Sequence, residues 1–282
     1  MPIKVITDST SYISEDLIKK YDIDILSLSV LLNGIDKREL DWTNEEFYEE
    51  IKKGGDFPKS SQPKIEEIYS LFKKHIVCND EIAAVFMSSK MSGTYSTANA
   101  VKEQLLEDYP DAKIEILDSK TNSMQLGFAA IEGAKKASEG ASLEEVKSAM
   151  EHVIENSRFL FTPETFEYLK KGGRIGGAAA LLGHLLNIKP VLTVENGQTT
   201  VFGKARTRKK AVDMILGKLY DDASTRELGG VIVHHINCED KGQEIAEEIA
   251  LKLGIKVKIQ SIGPVIGTHV GPGSVGVAYW LK

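Results

Sequence analysis

Apolar residues in this chain gather into short runs, and the runs end in polar residues of a recurring kind. Ile82-Ala83-Ala84-Val85-Phe86-Met87 is continuously apolar, the pattern of a strand buried on both faces, as in a parallel sheet. It leads into Ser88-Ser89-Lys90-Met91-Ser92-Gly93-Thr94-Tyr95, after which Ala98, Val101 and Leu105 share one helical face. The hydroxyl-rich stretch is therefore expected at the C-terminal end of a strand, where a helix begins. Open α/β sheets bind ligands at that edge, because unpaired helix N–H groups and the helix dipole favour an anion there. From this segment alone Ser92 fits two readings: part of a cradle for a carboxylate or phosphate, or a plain helix cap.

The same arrangement recurs along the first half. Residues 3–6 read as a strand running into Thr7-Asp8-Ser9-Thr10-Ser11. A helix should follow, capped by Ser14, with Leu17, Ile18 and Tyr21 facing inward. Residues 25–32 read as one strand ended by the Asn33-Gly34 turn. Thr43-x-x-Glu46 is a capping box with Trp42 stapled onto Phe47, and that helix should stop at Gly54-Gly55. Lys59-Ser60-Ser61-Gln62-Pro63 reads as a polar loop opening a helix, with Pro63 in the first turn and Ile65, Ile68, Tyr69 and Phe72 inside. By itself that setting makes Ser60 and Ser61 capping residues. Residues 113–117 form a further strand before a helix at 124–137, and Ser142-x-x-Glu145 caps the next, which runs to about Asn156. Strands alternating with helices predict a parallel sheet with right-handed crossovers.

The pattern changes after residue 155 or so. Residues 158–162 read as a strand and Pro163-Glu164 as a helix start, followed by the glycine loop Lys171-Gly172-Gly173-Arg174-Ile175-Gly176-Gly177. The small apolar run 178–186 suits very close packing or the lining of a narrow cavity. Residues 191–194 and 199–202 flank Asn196-Gly197, a strong hairpin signal. A helix at 207–220, strands at 230–235 and 256–261 around a helix at 242–253, and a closing strand at 275–281 complete the chain. The expected fold class is α/β in two domains: residues 1–155 an α/β domain with a mainly parallel sheet, residues 156–282 an α+β domain with a mixed, partly antiparallel sheet. The boundary is approximate and segments are free to cross over it.

Length and composition agree with this picture: 282 residues are long for one core and comfortable for two. A net charge of −6, with no basic cluster larger than Lys204-Ala205-Arg206-Thr207-Arg208-Lys209-Lys210, argues against nucleic acid and anionic membrane surfaces as partners. Two distant cysteines, Cys78 and Cys238, fit a reducing cytoplasm. No run is long enough to span a membrane and no signal h-region opens the chain, so stable membrane insertion is not expected.

Several motifs fail on context. Gly271-Pro272-Gly273-Ser274-Val275-Gly276 spells GxGxxG, but too few residues follow for a helix and a second strand, and Pro272 removes an N–H. No GxxxxGK[ST], HExxH or GxSxG occurs. His234-His235 with Cys238 lacks a further ligand for a metal, so packing and hydrogen bonding suit that pair better. His269 is different, because it lies in the glycine-dense stretch 263–273, read as a loop. A lone histidine is more often structural, but glycines allow close backbone approach and functional residues concentrate on loops, so His269 fits a structural and a functional reading equally.

Six segments, in order, resemble the DegV family, bacterial fatty-acid-binding proteins also called FakB. They are Val5-Ile6-Thr7-Asp8-Ser9-Thr10, Lys59-Ser60-Ser61-Gln62-Pro63, Ser88-Ser89-Lys90-Met91-Ser92-Gly93-Thr94-Tyr95, Tyr168-Leu169-Lys170-Lys171-Gly172-Gly173-Arg174-Ile175, Lys204-Ala205-Arg206-Thr207 and Gly267-Thr268-His269-Val270-Gly271-Pro272-Gly273. The resemblance implies a two-domain fold holding a long-chain fatty acid, with its carboxylate near the domain interface and bound by Ser60, Ser92 and His269. It implies no cofactor and no metal, and a fatty acid kinase as protein partner that phosphorylates the bound carboxylate to an acyl phosphate. Arg174 and Arg206 stand at family positions associated with the head-group region or kinase docking. Many relatives carry threonine at Ser60 and leucine at Met91.

A second reading stays open: a small hydrolase or phosphotransferase with Ser92 as nucleophile, His269 as base and an aspartate such as Asp8 as orienter. That chemistry needs the base within hydrogen-bond reach of the nucleophile and a third group behind it.

Overall fold

The computed structural model describes residues 2–184 and 188–282, with the backbone alone at 182–184. The first half runs β1 (Ile3–Asp8), α1 (Glu15–Tyr21), β2 (Asp24–Leu26), β3 (Ser29–Leu32), β4 (Ile35–Arg38), α2 (Asn44–Lys52) and β5 (Lys59–Ser61). It continues with α3 (Ile65–Val77), β6 (Glu81–Phe86), α4 (Thr94–Asp108), β7 (Ile114–Asp118), α5 (Ser123–Ser138) and α6 (Leu143–Glu155). The second half runs β8 (Ser157–Thr162), α7 (Glu167–Lys171), β9 (Lys189–Glu195), β10 (Gln198–Ala205), α8 (Arg208–Thr225), β11 (Leu228–His235), α9 (Glu239–Leu253), β12 (Lys258–Ser261), α10 (Pro264–Val270) and β13 (Val275–Leu281). Short 3-10 segments lie at Ser9–Ser11, Glu39–Asp41 and Gly176–His184. The last takes up most of the small apolar run expected at 178–186, whose final residues fall outside the described ones.

Contacts within the chain group it into two units, one of Met1–Ser29 with Ser61–Glu155, the other of Val30–Ser60 with Asn156–Lys282. The first unit holds a four-stranded sheet in the order β2-β1-β6-β7, and every pair in it is parallel. All six residues of β6 are buried, as its unbroken apolar run requires of a central strand. Ile68 and Phe72 of α3 and Ala98, Val101 and Leu105 of α4 pack on Ile6, Ile82, Ala84 and Phe86. Each large aliphatic or aromatic side chain buried in this way contributes about 1.5–3 kcal/mol.

Some expectations for this stretch need correction. The single strand expected at 25–32 is two strands in different sheets. β2 stops at Leu26, opposite the last residue of β1, and the Ser9 hydroxyl then accepts the Leu28 N–H at 3.1 Å, turning the chain out of the sheet. Ser14 precedes α1 in extended conformation but makes no capping hydrogen bond, and none of the residues of α1 is fully buried. Lys59–Ser61 is a strand, not a loop at a helix start; Lys64 takes the N-cap position of α3, leaving Pro63 outside the first turn.

The second unit is built on a six-stranded sheet in the order β10-β9-β8-β13-β11-β12. All its pairs are antiparallel except β11 with β12, so the sheet is mixed. Asn196 and Gly197 turn β9 into β10 with φ of 49° and 81°, the left-handed pair that a tight hairpin needs. Ala211, Ile215, Leu216 and Leu219 of α8, with Ile245, Ala246 and Ile249 of α9, cover Leu160, Val191, Val233 and Val277. A small sheet in the order β4-β3-β5 completes the described strands.

His269 lies on α10, where a loop was expected. Pro264 opens this helix with its φ already set, and the buried Glu39 carboxylate accepts the Val265 N–H at 2.9 Å, satisfying a donor the helix start leaves over.

Candidate functional site

The site begins with two elements of the second unit. β5 carries Ser60 and the last turn of α10 carries His269, and Ser60 Oγ lies 2.7 Å from His269 Nε2. What holds α10 therefore holds the pair. Besides the Glu39 carboxylate, Tyr48 of α2 donates its hydroxyl to the Ile262 carbonyl at 2.9 Å, just before the helix. Gly267 faces the same tyrosine so closely that a Cβ there would stand 2.3 Å from its oxygen. Gly271 leaves the helix at φ +82° against the Tyr168 ring, which in turn meets Phe57 at a centroid distance of 5.6 Å.

The electrostatics of the pair are those of neutral groups. Burial, reinforced by the Arg174 guanidinium and opposed a little by the Gly172 backbone, pushes the His269 pKa down to about 4. The ring is thus uncharged near neutral pH, one of its nitrogens a donor and the other an acceptor. Nε2 meets Ser60, whereas Nδ1 is buried against Gly172 with no hydrogen-bond partner among the described residues. The Gly172 backbone lies near enough to Nδ1 to raise the pKa a little but makes no hydrogen bond of normal geometry with it, so the proton is placed on Nε2, leaving the Ser60 O–H to donate outward.

Arg174 sits beside this pair, its Nη1 donating to the Gly172 carbonyl at 2.8 Å. Arg206 is exposed and lines an open hollow of about 770 Å³ with Lys170, Phe166 and Pro190. The carboxylates of that hollow are neutralised, Glu164 by Lys189 and Arg208 and Glu167 by Lys171, so the hollow presents net positive charge.

Ser92 belongs to the first unit. Its Oγ accepts the Thr94 N–H at 3.3 Å and lies 2.9 Å from Thr94 Oγ1, so it does part of a cap's work ahead of α4, although Gly93 holds the N-cap position. Asp8 is fully buried in the same unit. One oxygen accepts from the Thr10 N–H and hydroxyl at 3.0 and 2.5 Å, the other from the Met87 N–H at 2.8 Å. It ties the end of β1 to the end of β6, directly before Ser88. Burial raises its pKa and these hydrogen bonds pull it back. Both Asp8 oxygens are thus engaged within its own unit.

Of the motifs set aside, His234 packs edge-on to Phe159 at 5.7 Å, and its Nδ1 lies 3.4 Å from the Gln260 carbonyl. Burial lowers its pKa to about 3. Cys78 and Cys238 are both free thiols. Among the described residues no group of histidine, cysteine and carboxylate side chains is arranged to hold a metal, and no helix is long and apolar enough to cross a membrane.

Three supporting residues escaped the sequence reading: Glu39, Tyr48 and Gly172. Glu39 and Tyr48 lie more than two hundred positions from the helix they hold, and no local pattern marks them. Gly172 stood in the glycine loop as one glycine among several.

The chain thus combines a unit on an all-parallel sheet with a unit on a mixed sheet, and the second carries an uncharged hydroxyl–imidazole pair beside Arg174. The family profile described as "Uncharacterised protein, DegV family" matches residues 2–282. The chain belongs to the DegV family. It is 51% identical to a DegV domain-containing protein of Clostridium acetobutylicum over 282 residues, covering 100% of this chain and 99% of that one. Among solved structures it is similar to a DegV family protein from Thermus thermophilus, described for its fatty acid binding, with a TM-score of 0.92, 30% identity and 100% of each chain covered. It is also similar to a stearic acid-binding protein from Eubacterium ventriosum, with a TM-score of 0.90 and 28% identity over 99% and 98% of the two chains.

Proposed function

We propose that this protein binds a long-chain fatty acid, holds its carboxylate with Ser60, His269 and Ser92, and presents it to a fatty acid kinase without being a catalyst itself. The observation that carries the reading is the 2.7 Å Ser60–His269 pair with its neutral ring, in a chain whose structural relatives bind fatty acids. Burial of an acyl tail contributes about 0.8 kcal/mol per methylene, so the tail supplies affinity. The carboxylate then needs donors, because an unpaired buried charge costs several kcal/mol or more. With the proton on Nε2, His269 donates to Ser60 Oγ and the hydroxyl donates to the carboxylate, one supporting the other. Ser92 is assigned as a further donor on the family pattern.

A kinase partner rests on the same resemblance, with Arg206 in the net-positive hollow suited to steering an acidic surface. Isothermal titration of delipidated protein with stearic acid tests the binding. One site per chain supports the proposal, and no saturable uptake refutes it. For the partner, Arg206→Ala should keep its lipid content and slow acyl-phosphate formation by the kinase. Turnover equal to wild type across a range of salt would remove Arg206 from that role.

A further inference from the structure

We infer that Gly172 is a positioning residue of the head-group site, and that the space left by its missing side chain is the slot in which the His269 ring lies. The inference rests on the proposed role of Ser60 and His269. Gly172 follows the last residue of α7 with φ −76° and ψ −6°, a backbone conformation open to every residue. Its neighbour Gly173, at φ +69°, is the one whose backbone calls for glycine. By conformation alone Gly172→Ala should be neutral or stabilising, because alanine is the better residue at a helical φ and ψ.

Space argues the other way. A Cβ at Gly172 would stand 2.3 Å from His269 Nδ1 and 3.2 Å from its Cε1, with the Tyr168 carbonyl at 2.9 Å. The ring is not the loose end of a flexible chain. Its opposite edge is tied to Ser60, and α10 is pinned by Glu39 and by Tyr48. A methyl group at 172 therefore has to push the ring towards Ser60 or turn it out of the slot, and either movement changes the 2.7 Å contact. The same packing covers Nδ1, which has no partner and is closed to solvent. Gly172 thus sets both where the ring stands and which nitrogen faces the site. Charge at the ring's border comes from Arg174, whose guanidinium also bonds the Gly172 carbonyl.

The test is a double-mutant cycle between Gly172→Ala and His269→Ala, read as stearic acid affinity on delipidated protein. Gly217→Ala, in α8 with nothing within 4 Å of its would-be Cβ, serves as the control. Gly172→Ala is expected to weaken stearic acid binding about tenfold or more, as losing one hydrogen bond to a charged group does. In the His269→Ala background it should cost nothing further, because the clash is gone. A general packing fault, including one at the Tyr168 carbonyl, would persist in both backgrounds. Wild-type affinity in Gly172→Ala, or an equal loss with and without the ring, overturns the inference. If Ser60→Ala and His269→Ala themselves bind stearic acid normally, the underlying site is wrong, and that outcome is distinct from the first. Histidine ring NMR of the wild type adds a readout that does not depend on a variant folding. Burial in the slot, with Arg174 nearby, lowers the ring's pKa to about 4, and a ring titrating near 6.5 is not buried, which contradicts the slot.

Discussion

Ser60 Oγ and His269 Nε2 lie 2.7 Å apart although 209 positions separate them in the chain. Ser60 comes from a three-residue strand and His269 from a seven-residue helix, so neither is fixed by a long element of its own. Tertiary packing around α10 sets their distance, and the predictions follow from that packing.

Ser60→Ala should weaken fatty acid binding by about 1.5–3 kcal/mol, the range for a hydrogen bond to a charged group. His269→Gln should lose less than His269→Ala, because an amide N–H can stand in for an imidazole donor. Titration of the delipidated variants with stearic acid measures both, and equal losses in the two His269 variants would remove the donor role.

Glu39→Ala should destabilise the protein by about 1–3 kcal/mol, since it leaves the buried Val265 N–H without its acceptor at the start of α10. Glu39→Gln keeps a carbonyl oxygen in reach and should cost less. Urea unfolding gives the order, and an Ala variant as stable as wild type would show that α10 does not need this cap.

Asp8→Ala should cost at least as much, because the Met87 and Thr10 N–H groups both lose their acceptor in a buried setting. The effect is expected on stability first. Amide hydrogen exchange should rise at Met87 and Ser88 and stay unchanged around α10; protection lost equally throughout would argue against a local strut.

Acid should weaken the fold in a defined window. His269 has a folded pKa of about 4 against 6.5 for the free side chain, so the fold favours the neutral ring. That contribution is complete above pH 6.5 and is lost as the pH falls towards 4. His234, lowered to about 3, acts in the same direction and extends the loss to lower pH. Asp8, raised by burial, acts oppositely: its contribution is complete below 3.8 and is lost as pH rises through the raised folded value. Urea midpoints should therefore fall from about pH 7 to about pH 4.5, and less steeply in His269→Gln, which cannot titrate. An unchanged slope in that variant would mean the ring is not desolvated in the fold.

Much of the architecture could be read from local pattern. The unbroken apolar run of β6, the Thr43–Glu46 capping box and the Asn196-Gly197 hairpin each stand where the sequence puts them, because their causes lie within a few residues. The local pattern around His269 predicts a loop for the opposite reason. Gly267 weakens helix propensity by about 1 kcal/mol, and the contacts that override it come from Glu39 and Tyr48. The break between β2 and β3 is also non-local, made by the Ser9 hydroxyl at Leu28. Ser60 read as a capping residue because its partner could not be seen from its neighbours.

Whether this chain carries a fatty acid can be read most directly by mass spectrometry of the freshly purified protein, intact under native conditions and again after denaturation. The native mass should exceed that of the chain by one long-chain fatty acid, released on denaturation without a covalent adduct, and occupancy should fall in Ser60→Ala. Protein expressed with long-chain fatty acids available that emerges free of lipid, and takes up none when incubated with stearic acid, would contradict the proposed carrier role.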